Sequence, residues 1–207
     1  MNIKYIYTLG TASLLLVPIA SNAESTFSTG IGALTSTARL DFTIVVPKIL
    51  YIRISTGTIL ATNATIDLIT FTVPTASVGN GTVVAATAAG GDLGNGIVTA
   101  RVIGNNGTIT FSSTTTGPLS DGAGDIISYT QIATAVAANT SAIALAAPAL
   151  VDGATTNIIL TPNLGTKVTN LDAKWTYNYL NANVVPQGTY GGVNANAGRV
   201  TYTAAMP

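Results

Sequence analysis

The chain has 207 residues, 47% of them hydrophobic and only 8% charged, with eight cations balancing eight anions. It holds neither Cys nor His. That excludes a disulfide framework, Cys- or His-ligated metals and any catalysis resting on an imidazole base. Eight scattered cations and zero net charge leave no basic face for nucleic acid. Thr (34), Ala (30), Gly (21) and Asn (16) dominate, against four Lys and one Glu.

Residues 1–23 read as a secretory signal. Lys4 lies in the leading segment, residues 9–20 are apolar, and Ser21-Asn22-Ala23 places small residues where a signal peptidase cuts. An apolar run this short does not cross a bilayer core of roughly 30 Å as a helix. No later run is long enough to do so either. The exported chain is then residues 24–207, without Cys, so its stability rests on core packing and sheet hydrogen bonds.

Beyond residue 38 the pattern is of period two. Leu40, Phe42, Ile44 and Val46 alternate with Asp41, Thr43 and Val45, and the parity resumes with Leu50, Ile52 and Ile54. Side chains two apart share a sheet face, which predicts one long strand bent at Pro47. Residues 66–73 predict a second strand, with Ile69, Phe71 and Val73 on one face. Residues 96–103 and 108–111 flank Gly104-Asn105-Asn106-Gly107, a hairpin turn. Residues 126–132 and 157–161 are further short strands. Residues 133–149 are Ala-rich, a weak strand or loop with a helix as the alternative.

The clearest strand covers residues 167–180. Leu171, Ala173, Trp175, Tyr177 and Tyr179 take one face; Asn170, Asp172, Lys174, Thr176 and Asn178 take the other. At the C-terminus Val200, Tyr202 and Ala204 alternate with Arg199, Thr201 and Thr203. β-branched Thr suits a pleated surface. Seven or more short strands with turn signals between them predict an all-β fold, an antiparallel immunoglobulin-like β-sandwich.

The candidate chemistry is sparse. Asp121 and Asp125 stand four apart in a Gly-rich loop, either a cation-binding loop or a solvated turn. Asp41, Asp67 and Asp172 sit on polar strand faces, and no spacing pairs them for glycoside hydrolysis. The Gly clusters at 90–96 and 188–192 match no phosphate-binding motif. No Gly-x-Ser-x-Gly occurs. Asn63, Asn80, Asn106 and Asn139 fall in Asn-x-Ser/Thr sequons at about chance frequency. Trp175, Tyr177 and Tyr179 read as core if they face inward and as a sugar-stacking platform if they face outward. No catalytic residue, metal ligand or cofactor is assigned.

Gly188-Thr189-Tyr190 leads into Gly198-Arg199-Val200-Thr201-Tyr202-Thr203-Ala204 near the C-terminus. A Gly-Thr-Tyr-like turn followed by an alternating terminal strand resembles bacterial chaperone–usher fimbrial subunits (pilins). The resemblance covers about the last 40 residues and the general strand pattern. The pilin disulfide is absent, and the spacer from Gly191 to Gly198 is longer than the family's pattern.

The resemblance implies a sandwich with an incomplete sheet edge. Its final strand, here Val200, Tyr202 and Ala204, would pair with a periplasmic chaperone. An N-terminal extension, residues 24–37 with Phe27, Ile31 and Ala33 on one parity, would complete the next subunit, leaving residues 38–207 as the sandwich domain. It further implies an outer-membrane usher, self-association into a fibre, and a route through the periplasm to the cell surface. The expected function is therefore an exported fimbrial subunit assembling by β-strand addition. The alternatives are a secreted module binding host or matrix glycans, an outer-membrane β-barrel and, least favoured, a secreted enzyme.

Overall fold

The computed structural model describes residues 24–162 and 165–207. The predicted signal, residues 1–23, lies outside the described residues. The chain divides into two units, Met1–Val46 and Pro47–Pro207.

In the first unit, described from Glu24, no strand or helix forms. Residues 26–37 double back around Ile31 and Gly32. The Thr26 hydroxyl donates to the Thr37 carbonyl (2.7 Å), the Thr37 amide returns to Thr26 Oγ1 (3.0 Å), and Ser28 Oγ donates to the Thr35 carbonyl (3.0 Å). Glu24 and Arg39 close the base with an ion pair at 3.2 Å. Residues 40–46 follow without secondary structure, their apolar side chains exposed. The long bent strand predicted across Pro47 therefore does not form. The ladder begins only at Leu50, and residues 40–46 have no partner strand among the described residues.

Among its described residues the second unit carries ten strands: β1 (Leu50–Ile54), β2 (Val84–Ala85), β3 (Ile97–Gly104), β4 (Ile109–Thr114), β5 (Leu119–Ser120), β6 (Ile126–Ile127), β7 (Ile132–Ala138), β8 (Thr155–Leu160), β9 (Thr169–Tyr179) and β10 (Thr201–Ala205). All the ladders are antiparallel. In the larger sheet, β3 and then the short β2 run along one flank of β9, and β7 takes the other; β1 pairs with the far side of β3. The second sheet runs β10-β4-β8, and β5 and β6 form a small hairpin. This is the expected all-β, sandwich-like architecture. No described helix is long and apolar enough to cross a membrane.

Period two explains the core. Val98, Ala100 and Val102 of β3, with Ala173, Trp175 and Tyr177 of β9, face Ile109 and Phe111 of β4 and Leu160 of β8. Trp175 is fully buried. Its indole N–H donates to the Leu145 carbonyl at 2.8 Å, satisfying the one polar atom that burial would otherwise strand. The opposite face of the β10-β4-β8 sheet is uncharged. Register places Thr201, Thr114 and Thr155 in one row and Thr203, Ser112 and Asn157 in the next.

Three predicted elements change. Residues 66–73 make only a single bridge, Phe71 to Ala86, because the strand they would pair with spans only Val84 and Ala85. Residues 126–132 split into β6 and a 3-10 turn, Tyr129–Gln131, whose start is capped by Ser128. Residues 104–107 do not close a hairpin: β3 pairs with β1 and β9, and β4 with β10 and β8, so this turn links the two sheets. The Ala-rich stretch supplies β7, the weak strand expected there, as pairing with β9 overrides alanine's helical preference.

The Gly-rich segment before the last strand is a tight crossing. A Cβ on Gly198 would stand 2.3 Å from the Gly192 amide nitrogen, so only glycine fits. Gly198 also donates to the Ala195 carbonyl (2.8 Å), closing the long spacer into a loop that sets the start of β10.

Candidate functional site

β1 and β10 are the edges of the two sheets. Among the described residues β1 bonds only to β3 and β10 only to β4, so each keeps one unpaired edge. The two meet at one end, where the Lys48 ammonium donates to the Pro207 carbonyl and the Asn106 side-chain amide donates to the same oxygen at 2.9 Å. Lys48 precedes β1 and Pro207 follows β10, so the strands run in opposite directions. Between them lies a cleft of about 300 Å³ lined by Ile52, Ile54, Ile66, Val200 and Tyr202.

The cleft shares residues with a groove of about 910 Å³. Residues 65–73 form one wall and residues 185–194 contribute the other, with Tyr177 and Tyr179 also lining it. Ile66 and Leu68 on the first wall are 63% and 50% exposed. A largely apolar cleft between two strand edges that are unpaired among the described residues lacks both a hydrophobic cover and partners for backbone N–H and C=O groups. No strand among the described residues supplies either.

Polar groups hold the walls in place. Arg53 of β1 pairs with Asp92 at 2.9 Å, and Asp92 accepts the Thr99 amide at 2.7 Å. That ties β1 to the loop before β3. Asp67 accepts the Thr56 amide at 2.8 Å and fixes the residue 65–73 wall to the end of β1. Burial alone would raise the Asp67 pKa, but hydrogen bonds from Ser55 and Thr56 outweigh it and hold the carboxyl below its ordinary range. On the floor, Asn181 accepts the Gly79 amide at 2.9 Å and donates to the carbonyls of Ser77 and Thr82. Burial raises the Tyr202 pKa to about 12, and Tyr177 is raised well above its usual value by burial and by Tyr202.

Of the residues singled out in the sequence, Val200 and Tyr202 line the cleft and Ala204 packs on the core. Phe27, Ile31 and Ala33 are exposed, on the doubled-back loop rather than on an extended strand. Trp175, Tyr177 and Tyr179 are buried, so they present no platform for a sugar ring. Asp121 accepts the amides of Ala123, Gly124 and Asp125 at 2.8–3.1 Å through one oxygen. These bonds, with Ala123 the strongest, lower its pKa and make it the cap of its own turn. No cluster of three metal-ligating side chains occurs among the described residues.

Asp172 lies on the face opposite the apolar one, as expected, but that face is not open to solvent there. It is buried, and accepts from Asn139 (3.0 Å), the Thr140 hydroxyl and amide, and the Ser141 amide (2.7 Å), with Arg101 at 3.6 Å. It clamps the loop after β7 onto the sheet and is not paired with a second acid. Alternation missed it because the loop, not solvent, covers that face.

No family model, curated protein or solved structure matches the chain.

Proposed function

We propose that the protein is an exported structural subunit of a fimbria or surface adhesive fibre, built by β-strand addition. The cleft between β1 and β10 is the acceptor. The observation that carries this reading is that two strand edges, β1 and β10, unpaired among the described residues, flank one largely apolar cleft.

A strand added along one of these edges bonds to it and covers the apolar side chains of the cleft, among them Ile52, Ile54, Ile66, Val200 and Tyr202. Main-chain bonds supply affinity, and alternate side chains entering the groove supply specificity. Each large aliphatic side chain buried is worth about 1.5–3 kcal/mol, so three or four of them stabilise the joint strongly. The same open edges call for cover during export, the task of a periplasmic chaperone acting with an outer-membrane usher. The reading assigns no catalytic residue, metal or cofactor.

The test is to purify the full chain alone and measure its assembly state. Multimers that resist dissociation, or a poorly folded chain rescued by a strand-forming peptide, are expected. A well-folded monomer at micromolar concentration, neither assembling nor gaining stability from any added strand, overturns it.

A further inference from the structure

We infer that the end of the groove beside Tyr179 binds a neutral, largely apolar small molecule carrying a hydrogen-bond-accepting oxygen. Such binding is independent of strand addition.

The phenols of the groove carry it. Five tyrosines line the groove, and four of them are satisfied within the chain. Tyr129 donates to the Ala197 carbonyl (2.7 Å), Tyr190 donates to the Pro186 carbonyl (2.7 Å), and the Tyr177 and Tyr202 oxygens share one bond (2.8 Å). Tyr179 is 5% exposed, yet its hydroxyl has no partner among the described residues. A phenol buried to that degree ordinarily finds an acceptor. Burial is the sole influence on its pKa and raises it, with no bond to offset or add to that. The hydroxyl is not sealed in, since Tyr179 lines the groove. The missing acceptor therefore enters from the groove.

The walls set the ligand's character. Phe71 stands 6.4 Å from Tyr179 by ring centroids, and Ile132 of β7 is the register partner of Tyr179. Val78 and Val185 line the groove on two loops packed closely together: a Cβ on Gly79 would fall 2.4 Å from the Val184 amide nitrogen. Asn181, two residues beyond Tyr179, holds the Gly79 amide and so fixes the loop that carries Val78. Gln131 takes the Leu180 amide on its carbonyl (2.8 Å) and the Ala182 amide on its side chain (3.1 Å), which fixes the end of β9. The site is thus formed before a ligand arrives.

Charge is confined to the other end. Of the residues lining the groove only Asp67 and Arg199 are charged. Asp67 is bonded to the end of β1, and Arg199 also lines the cleft. An ion at Tyr179 would lose its water without gaining a counter-ion, so the ligand is neutral. The groove's volume of about 910 Å³ falls within the range of small-molecule sites, about 300–1,000 Å³. Tyr179 does not line the cleft itself. It stands six residues along β9 from Ala173, whose register leads through Ala100 to Ile54 of the cleft. At about 3.4 Å per residue that is about 20 Å, so a strand beside β1 and a ligand at Tyr179 occupy different ends.

The test is a fluorescence titration of the full chain with Nile red, a neutral dye with a ring carbonyl. Saturable binding of one dye per chain is expected. Tyr179→Phe keeps the ring and breaks no bond within the chain. Its melting temperature should match the parent's, while its dye affinity falls about fivefold. Val78→Trp, on a wall 42% exposed, should block the dye by bulk. No saturable binding, or binding unchanged in both variants, overturns the site. Binding blocked by Val78→Trp but unchanged in Tyr179→Phe overturns the assigned ligand chemistry. A lowered melting temperature for Tyr179→Phe shows that the hydroxyl already has a partner within the chain, and overturns the inference as well.

Discussion

The phenol oxygen of Tyr202 in β10 lies 2.8 Å from that of Tyr177 in β9, a hydrogen bond joining the last strand to the centre of the larger sheet. The Tyr202 ring also packs 5.6 Å from Trp175 and 6.1 Å from Phe111. β10 is therefore anchored from inside and by β4 along one edge, while its other edge stays unpaired. The cleft therefore has a firm wall rather than a loose terminal strand.

Replacing Tyr202 with Phe removes that bond and leaves Tyr177 Oη without its partner. The expected loss is about 1–2 kcal/mol in denaturant unfolding. A cycle with Tyr177→Phe isolates the coupling, since two phenylalanines leave neither oxygen behind. Both phenols have raised pKa values, so the unfolded chain ionises first. Their contribution is intact below pH 10 and falls as pH climbs toward about 12. The double Phe variant should lose less stability over that interval than the parent chain.

Asp172→Ala should be the most damaging single change on the outer face of the larger sheet. It strips the loop after β7 of its acceptor and takes the carboxylate from the largely buried Arg101, which keeps its bond to Asn170 (2.9 Å), costing about 3–5 kcal/mol. Burial opposes ionisation of Asp172, but bonds from Thr140 and Ser141 outweigh it and place its pKa below the ordinary 3.8. Its stabilisation is thus present above that value and lost as pH falls through the acid range. Acid unfolding of Asp172→Asn should show a shallower slope there than the parent.

Trp175→Ala should cost about 3–5 kcal/mol through the cavity it opens, with loss of near-UV circular dichroism. Trp175→Phe should cost less, through the lost bond to Leu145. A Trp175→Ala chain that keeps its fold and loses only glycan binding would contradict the buried placement.

Calcium should not change the melting temperature, and neither should a chelator. One oxygen of Asp121 is already shared among three backbone amides, leaving a single nearby acid, Asp125, for a cation that takes six to eight oxygens.

Strand type was legible where alternation was long and two-sided: β3, β4, β9 and β10 stand within a residue or two of their predicted ends, apart from β4's longer C-terminal end. It misled where alternation is not matched by a partner among the described residues. Leu40, Phe42, Ile44 and Val46 carry a strand's pattern without a strand's partner there, and local sequence does not distinguish a paired segment from an unpaired one. β7 was obscured by alanine, whose small side chain packs on β9 without announcing a face. Of the cleft, Val200 and Tyr202 were visible in the terminal strand. Ile66 and Leu68 were read as ordinary sheet, and Asp92, which braces β1 through Arg53, was hidden among glycines whose turns bring it there.

Hydrogen–deuterium exchange on assembled and unassembled full-length chain reads the cleft most directly. If a strand enters between the first and last strands, amides in both Leu50–Ile54 and Thr201–Ala205 slow together on assembly, while those of β8 change little. Assembly that leaves both edges exchanging at their unassembled rates would contradict strand addition at this cleft.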